Sequence, residues 1–509
     1  MKHNLTACLT LLLSISAIAQ EKAKPVIKDG EAQIVSAFET QDKWIRHDLW
    51  VETTFDTDGD GKLDRMHVSV TRPFQTETEG LKLPVIYETS PYFAGTAGND
   101  PGTFWNVKHE IGEVPPPHTH PEVKRTGKRP IISNSLIREW VRRGFVVVHS
   151  SSPGTGLSQG SPTVGGINES LAPKAVIEWL AGKDIGYTTP DGNEKVKAYW
   201  STGKVGMTGT SYNGTLPLAA ATTGVEGLKA IIPVAPNTSY YHYYRSNGLV
   251  RSPGGYLGED VDVLYDFIHS GAEDKRAYNN KTVRDGEMAK GMDRVTGDYN
   301  DFWAGRDYLN AMKPMKAALL MSHGFNDWNV MPEHSYRIYK AAEAKGLPVQ
   351  IYYHQQGHGG PPPMKMMNRW FTRFLYDVEN GVEKEPKAWI VREGQPNSNP
   401  VSYANYPNPE ASDVKLFLGD GGNGQGKLSA EKTSKQPTEK LSDDVSFSGS
   451  DLAKAQKSDH RLLYVSPTLK EPLHISGLAN IKVKLASSKP AANFSVWLVA
   501  LPWSEGKEV

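Results

Sequence analysis

Short apolar runs that end in Ser-, Pro- and Gly-rich loops recur along the middle of the chain. "LPVIYETSPYF" (83–93) and "GFVVVHSSSPGTG" (144–156) are β-branched stretches without polar alternation. That is the pattern of strands buried on both faces of a mostly parallel sheet. "GKVGMTG" (203–209), "LKAIIPVAP" (228–236), "KAALLMSHG" (316–324) and "LPVQIYYHQ" (347–355) repeat it. Helical spacing appears in "ESLAPKAVIEWLAG" (169–182) and again in "MMNRWFTRFLYDVENG" (366–381). Strands that alternate with helices predict a parallel α/β sheet. Upstream, Trp50 to Val70 alternates around a turn-rich centre and predicts a β-hairpin.

The texture changes twice. From Tyr240 to Met315 the chain is charged and helix-prone, which predicts a helical cap between two sheet strands. Beyond about residue 385 helical patterns fade, and turns separate "VKLFLG", "HRLLYVSP", "LHISGLANIKVKLASS" and "FSVWLVALPW". That spacing predicts a β-sandwich over 385–509, with its last strand close to Val509 and the sandwich therefore truncated. The α/β domain spans 20–384, with the cap at about 240–315.

Residues 1–19 read as a cleavable signal peptide: one lysine, an apolar stretch from Leu9 to Ile18, and the small-residue triplet Ala17-Ile18-Ala19. The expected location is therefore periplasmic or secreted, without a membrane span. Cys8 is the single cysteine, and the apolar region follows it rather than preceding it, unlike a lipid-attachment site. The exported chain then has no thiol, which excludes disulfides and cysteine chemistry. Lysine plus arginine equals aspartate plus glutamate at 57 each, so no electrostatic footprint for nucleic acid exists.

Candidate chemistry centres on "KVGMTGTSYNGTL" (204–216), a strand running into a turn with Ser211 at its tip. A nucleophile elbow needs small flanking residues, because strand and helix pass very close there. The helix N-terminus favours negative charge, and the backbone N–H of Tyr212 would face a developing oxyanion. A base and an acid are expected after later strands, in the order Ser, Asp, His. Asp327 follows "KAALLMSHG" and His358 follows "LPVQIYYHQ" in a glycine-flanked loop. His323 and His354 compete as the base but sit within or at the end of strands, where a structural role is expected. Asp260 and Asp262 compete as the acid but lie in the cap.

Longer stretches resemble one family. "GMTGTSYNGTLPLAAATTGVEGLKAIIP", "YYRSNGLVRSPGGYLGEDVDVL", "GDYNDFWAGRDYL" and "HGFNDWNVMPEHSY" are similar to the Xaa-Pro dipeptidyl-peptidases. So are "HRLLYVSPTLKE" and "SSKPAANFSVWLVALPW". The resemblance implies an α/β-hydrolase core, an inserted helical cap and a C-terminal jelly-roll. It implies the motif G-x-S-Y-x-G at Gly209, Ser211, Tyr212 and Gly214, with Ser211 as nucleophile, Asp327 as acid and His358 as base. It further implies the Tyr92 phenol as second oxyanion donor, and Tyr240, Tyr243 and Trp328 around a proline ring. Asn329 would hold the first residue's carbonyl and Glu259 the free amine. Where the family often carries tryptophan, this chain has Tyr240. The implied substrates are peptides with proline at the second position, with no cofactor and with a homodimer allowed.

Two further patterns resemble metal sites. "DTDGDGKLD" (56–64) places Asp56, Asp58, Asp60, Gly61 and Asp64 at positions one, three, five, six and nine of a calcium loop. Position twelve is His67 rather than glutamate and β-like segments flank it, so a hairpin turn is expected and no metal is assigned. "HTH" (118–120) has no evident third ligand. The rival readings are an ester or amide hydrolase of the cocaine-esterase or α-amino-acid ester hydrolase group, and a non-catalytic secreted β-sandwich binding protein.

Overall fold

The computed structural model describes residues 22–97, 132, 134–245, 260–432, 437–444, 446–489, 492 and 494–502. The expected signal peptide, the 118–120 histidines and Glu259 lie outside the described residues. An N-terminal ribbon of β1 (Ile27–Lys28) and β2 (Glu31–Ala32) precedes the main sheet. The hairpin predicted at 50–70 is β3 (Ile45–Glu52) paired antiparallel with β4 (Arg65–Arg72). Then come β5 (Leu83–Ser90), β6 (Val146–Ser151), β7 (Gly186–Tyr187), β8 (Lys195–Val196), β9 (Ser201–Thr210) and β10 (Leu228–Val234). The sheet continues with β11 (Ala318–Gly324), β12 (Val349–His354), β13 (Ala388–Ile390) and β14 (Val401–Tyr403).

These strands form one twelve-stranded sheet in the order β14-β13-β12-β11-β10-β9-β5-β6-β4-β3-β7-β8. The run from β13 through β9 and β5 to β6 is parallel throughout. Its strands are apolar on both faces because helices cover both. Val85 and Tyr87 of β5 join one core cluster, while Ile86 joins the other, beneath the helices Asn134–Val141 and Met364–Tyr376. Strand order reverses at β5/β9: from β5 the chain goes outward to β6, and from β9 it proceeds the other way through β10, β11 and β12. Such a reversal opens a crevice at the strand carboxyl ends, where open α/β sheets place their ligands. Tyr92, Ser211, Asp327 and His358 follow β5, β9, β11 and β12 respectively.

Helices fill the cap segment as expected, among them Tyr240–Arg245, Val261–Ile268, a wide-turn π-helix over Asn280–Met288 and Asp301–Ala304. A buried ion-pair cluster holds them. Arg245 Nη2 lies 2.6 Å from Asp260 Oδ2, and Arg294 bridges Asp260 (2.9 Å) and Asp262 (2.6 Å).

The C-terminal part differs from the sequence reading in two details of strand pairing. Residues after 385 were expected to leave the α/β domain, yet β13 and β14 extend the central sheet to Tyr403. Lys387 N–H is within reach of Ala404, and β13 finds its ladder on β12, so pairing rather than composition decides its place. Of the expected sandwich strands, those at Phe417–Leu418 and Tyr464–Val465 form a small sheet with Gly426–Ser429, a strand the sequence reading did not mark. The segments 473–488 and 494–502 form no ladder among the described residues, and Leu473, Ile475 and Leu485 stay exposed. A strand exists through its hydrogen-bonded neighbour, and apolar alternation alone does not supply one.

A tight backbone crossing lies under the elbow. A Cβ at Gly214 would meet the Val234 carbonyl oxygen at 2.5 Å and that of Gly209 at 2.8 Å, both backbone atoms that cannot yield. Gly214→Ala is therefore expected to lower stability by about 1–3 kcal/mol, the usual range for overpacking, in denaturant unfolding of the full chain.

Candidate active site

Ser211 ends β9 and precedes the helix Tyr212–Thr222. Its backbone has φ +63° and ψ −125°, a conformation non-glycine residues avoid. Hydrogen bonds hold it there: Ser211 N–H donates to Val234 O at 2.9 Å, and Ser211 O accepts from Gly214 N (2.8 Å) and Thr215 N (2.9 Å). The opening next to Gly209 is equally tight, since a Cβ there would lie 2.4 Å from Asn213 O. Tyr212 supplies a first-turn N–H, one of the donors a helix leaves without an intrahelical acceptor.

Asp327 and His358 come together in the loops after β11 and β12. His358 Nδ1 lies 2.7 Å from Asp327 Oδ2, so Nδ1 carries the proton. His358 Nε2 is buried and has no hydrogen-bond partner, which leaves its lone pair available. Ser211 and His358 are thus both present without a hydrogen bond between them. The other carboxylate oxygen, Asp327 Oδ1, accepts from Asn329 N (2.9 Å) and Val330 N (2.8 Å).

His323, expected to be structural, is a second partner of the same carboxylate. Its Nε2 faces two acceptors, Asp327 Oδ2 at 3.1 Å and Val330 O at 2.8 Å, and so bears hydrogen, while Nδ1 lies 2.6 Å from Ser335 Oγ. Burial alone would raise the Asp327 carboxyl, but hydrogen bonds from His323 and His358 outweigh it and hold it well below the usual carboxylate range. His354 is buried, and its Nε2 donates to Gly359 O at 2.9 Å, shaping the loop that carries His358. Asp260 and Asp262 are consumed by the arginine cluster of the cap.

The tyrosines form a connected group. The rings of Tyr92 and Tyr212 meet edge-on with centroids 5.9 Å apart, and Tyr212 meets Tyr240 at 6.2 Å. The Tyr212 hydroxyl reaches both oxygens of Glu169, at 2.8 and 2.7 Å, and Gly165 N donates to Glu169 Oε2 at 2.9 Å. Glu169 is fully buried on the helix Ile167–Leu180, and burial pushes its carboxyl up. Tyr240, which the resemblance places around a proline ring, is 1 % exposed and packed against Gly165 and Tyr212. Tyr243 donates its hydroxyl to Asn329 Oδ1 at 2.6 Å, joining the cap to the Asp327 loop. Trp328 beside it is half exposed, with its ring 4.4 Å from that of Trp497.

Sequence reasoning missed Glu169 and Glu88. Glu88 is the last-but-two residue of β5, and its Oε1 accepts from Asn213 Nδ2 at 3.0 Å. A lone glutamate on an apolar helix or strand was the only available signal for either one.

The comparisons with known proteins follow this geometry. Residues 58–360 match the X-Pro dipeptidyl-peptidase (S15 family) profile, and 380–506 match the X-Pro dipeptidyl-peptidase C-terminal non-catalytic domain. The chain belongs to the X-Pro dipeptidyl-peptidase S15 family. It is a hydrolase of the serine-peptidase class. A protein of Rhodopirellula baltica, provisionally named an Xaa-Pro dipeptidyl-peptidase, is 61 % identical over 98 % of this chain and 80 % of its own length. The Xaa-Pro dipeptidyl-peptidase of Ligilactobacillus salivarius is 35 % identical over 94 % of this chain and 64 % of its own. Among solved structures, a CocE/NonD family hydrolase from Staphylococcus aureus aligns with TM-score 0.50 at 17 % identity, covering 79 % of this chain and 66 % of its own. That similarity speaks for the shared α/β fold. No helix among the described residues is long and apolar enough to cross a membrane.

Two outcomes are expected from this family member's buried bonds. Tyr212→Phe leaves the Glu169 carboxyl without its hydroxyl partner and should cost about 1–3 kcal/mol in denaturant unfolding. The Asp327 carboxyl is lower in the folded chain than in the unfolded one, whose reference lies near about 3.9. Its pairing therefore stabilises fully above about pH 4 and is lost as pH falls through the folded value. Asp327→Asn should be less stable at neutral pH, with a flatter loss of stability on acidification, as followed by unfolding across pH.

Proposed function

We propose that this chain releases Xaa-Pro dipeptides from the free N-termini of peptides, with Ser211 as nucleophile, His358 as base and Asp327 as orienting acid. The observation that carries this reading is the pairing of a strained serine at the helix start with a histidine whose Nδ1 is tied to Asp327 while Nε2 is unengaged. Membership of the S15 family and the names of the relatives support the substrate class.

The chemistry then runs as follows. His358 Nε2 takes the Ser211 hydroxyl proton as Oγ attacks the carbonyl after proline. Asp327 favours the imidazolium that forms, and the histidine returns the proton to the departing amine. The Tyr212 N–H and the Tyr92 phenol receive the oxyanion. Water then hydrolyses the acyl-enzyme by the same route, and Ser211 is restored.

Proline specificity falls to the groups around the cap. Tyr243, with its hydroxyl on Asn329, and the half-exposed Trp328 border the proline ring. Tyr240 backs this wall through Tyr212. Asn329 holds the first residue's carbonyl, and Glu259 pairs with the free amine and so limits the bound length to a dipeptide. Export through residues 1–19 rests on the lysine, the apolar stretch and the Ala17-Ile18-Ala19 triplet, the division into an α/β domain and a C-terminal domain on the change of sequence texture, and assembly as a homodimer on the sequence resemblance.

Turnover of an Ala-Pro anilide tests the proposal. Wild type should cleave it and Ser211→Ala should lose at least about 10³-fold in kcat while remaining folded. Hydrolysis of simple acyl esters without the anilide would move the chain to the ester hydrolases. Retention of anilide cleavage by Ser211→Ala would remove the triad.

A further inference from the structure

The turn of the β3–β4 hairpin holds more negative charge than a turn requires. Asp56, Asp58 and Asp64 each bring one carboxylate oxygen to within 4.8 Å of the others. Asp58 and Asp64 are buried, at 6 % and 2 % exposure, and Asp56 is exposed. Like charges drawn together out of water repel strongly unless a cation or a proton lies between them.

The local hydrogen bonds show which oxygens are used and which are not. Asp56 receives the amides of Gly59 (2.8 Å) and Gly61 (2.9 Å), and Asp64 Oδ2 receives Thr57 N and Thr57 Oγ1. Asp58 Oδ1 is buried and has no hydrogen-bond donor, while Asp58 Oδ2 has only the long 3.4 Å approach of Gly160 N. The ammonium of Lys275 pairs with two of the carboxylates: its Nζ is 3.1 Å from Asp60 Oδ2, a hydrogen-bonded contact, and 3.6 Å from Asp58 Oδ1, an ion pair longer than a hydrogen bond. Asp60 also accepts Lys62 N at 2.9 Å, and it is not one of the three carboxylates whose oxygens converge.

We propose that this turn binds one calcium ion through Asp56, Asp58 and Asp64. The ligand set is all oxygen and anionic, which suits a hard cation, and calcium completes its six to eight oxygens with water and main-chain carbonyls. Asp64, at position nine of the sequence pattern, does what glutamate at position twelve does in a helical calcium loop. His67, which holds that twelfth place, sits in β4 with Nε2 3.5 Å from Asp48 and is no ligand. The flanking strands that argue against a helix–loop–helix site are therefore compatible with this one.

The ion would join three parts of the fold. Asp58 and Thr57 contact the 160 loop through Gly160 N and Ser161 N, and Asn279 of the cap segment donates to Gly160 O at 3.2 Å. Tyr278 of the same segment lies directly on the turn, since a Cβ at Gly59 would be 2.2 Å from its hydroxyl. A cation here acts as a clamp between hairpin and cap segment, away from Ser211 and independent of the peptidase reading.

Terbium luminescence on the chelator-stripped full chain tests the site, with Tyr278 as the adjacent sensitiser. Wild type should give emission that saturates at one ion per chain and is displaced by calcium with Kd of about 10⁻⁴–10⁻³ M, as in extracellular modules. Its Tm should be higher in calcium than in EGTA. Asp58→Asn should weaken calcium binding at least tenfold, and Asp56→Asn, at an exposed position, should do so too, with folding of each variant checked by its Tm in EGTA. Asp60→Asn should titrate like wild type. Equal Tm in calcium and EGTA with no terbium emission from wild type would overturn the proposal. So would Asp56→Asn and Asp60→Asn titrating alike.

Discussion

The whole active centre depends on how closely one helix can approach two strands. Gly209 and Gly214 let the helix after β9 pass within van der Waals contact of the β9 and β10 backbones, where any side chain would collide with carbonyl oxygens. That proximity leaves Ser211 at positive φ, a strain of order 1–3 kcal/mol that the surrounding hydrogen bonds sustain. The strain has a chemical consequence. It turns the serine side chain out of the strand while leaving the Tyr212 amide at the open end of a helix.

Around this elbow the chain buries polar groups in pairs rather than singly. Glu169 receives the Tyr212 hydroxyl and the Gly165 amide, Glu88 receives Asn213, and Asp327 receives two histidines and two amides. An unpartnered buried carboxylate would be costly, and each of these is partnered from a different element of the fold. The first residues of the elbow helix are thus gripped from β5 and from the helix at 167–180. Asp327 is gripped in the same way by His323 from within β11. Fixed groups of this kind need no reorganisation when charge develops, which is the physical basis of preorganised catalysis.

The cap is tied to the sheet by similar means. Arg306 donates to the carbonyls of Thr163 and Val164, and Tyr243 bonds Asn329 in the loop after β11. Arg245, Asp260, Arg294 and Asp262 form the cap's own internal anchor. The candidate site is consequently bordered by segments far apart in sequence that these few polar contacts hold together.

The sequence alone determined the sheet strands β5, β6 and β9 to β12, the hairpin and the order of Ser211, Asp327 and His358. Each of these is written in local periodicity, in turn residues or in the order of loops, and local signals survive without knowledge of neighbours. Only tertiary structure decided the rest. Tyr240 is a tyrosine whose burial against Gly165 and Tyr212 no local pattern announces. His323 looked structural because it lies in a strand, yet its ring reaches the Asp327 carboxylate. β13 joined the central sheet because β12 offered an edge, while equally apolar segments beyond residue 473 found no ladder among the described residues. The three carboxylates of the hairpin turn could be counted in the sequence, but their convergence depends on how the turn folds against the 160 loop. Contacts between distant segments carry no periodic signature, so they become visible only when the chain is folded.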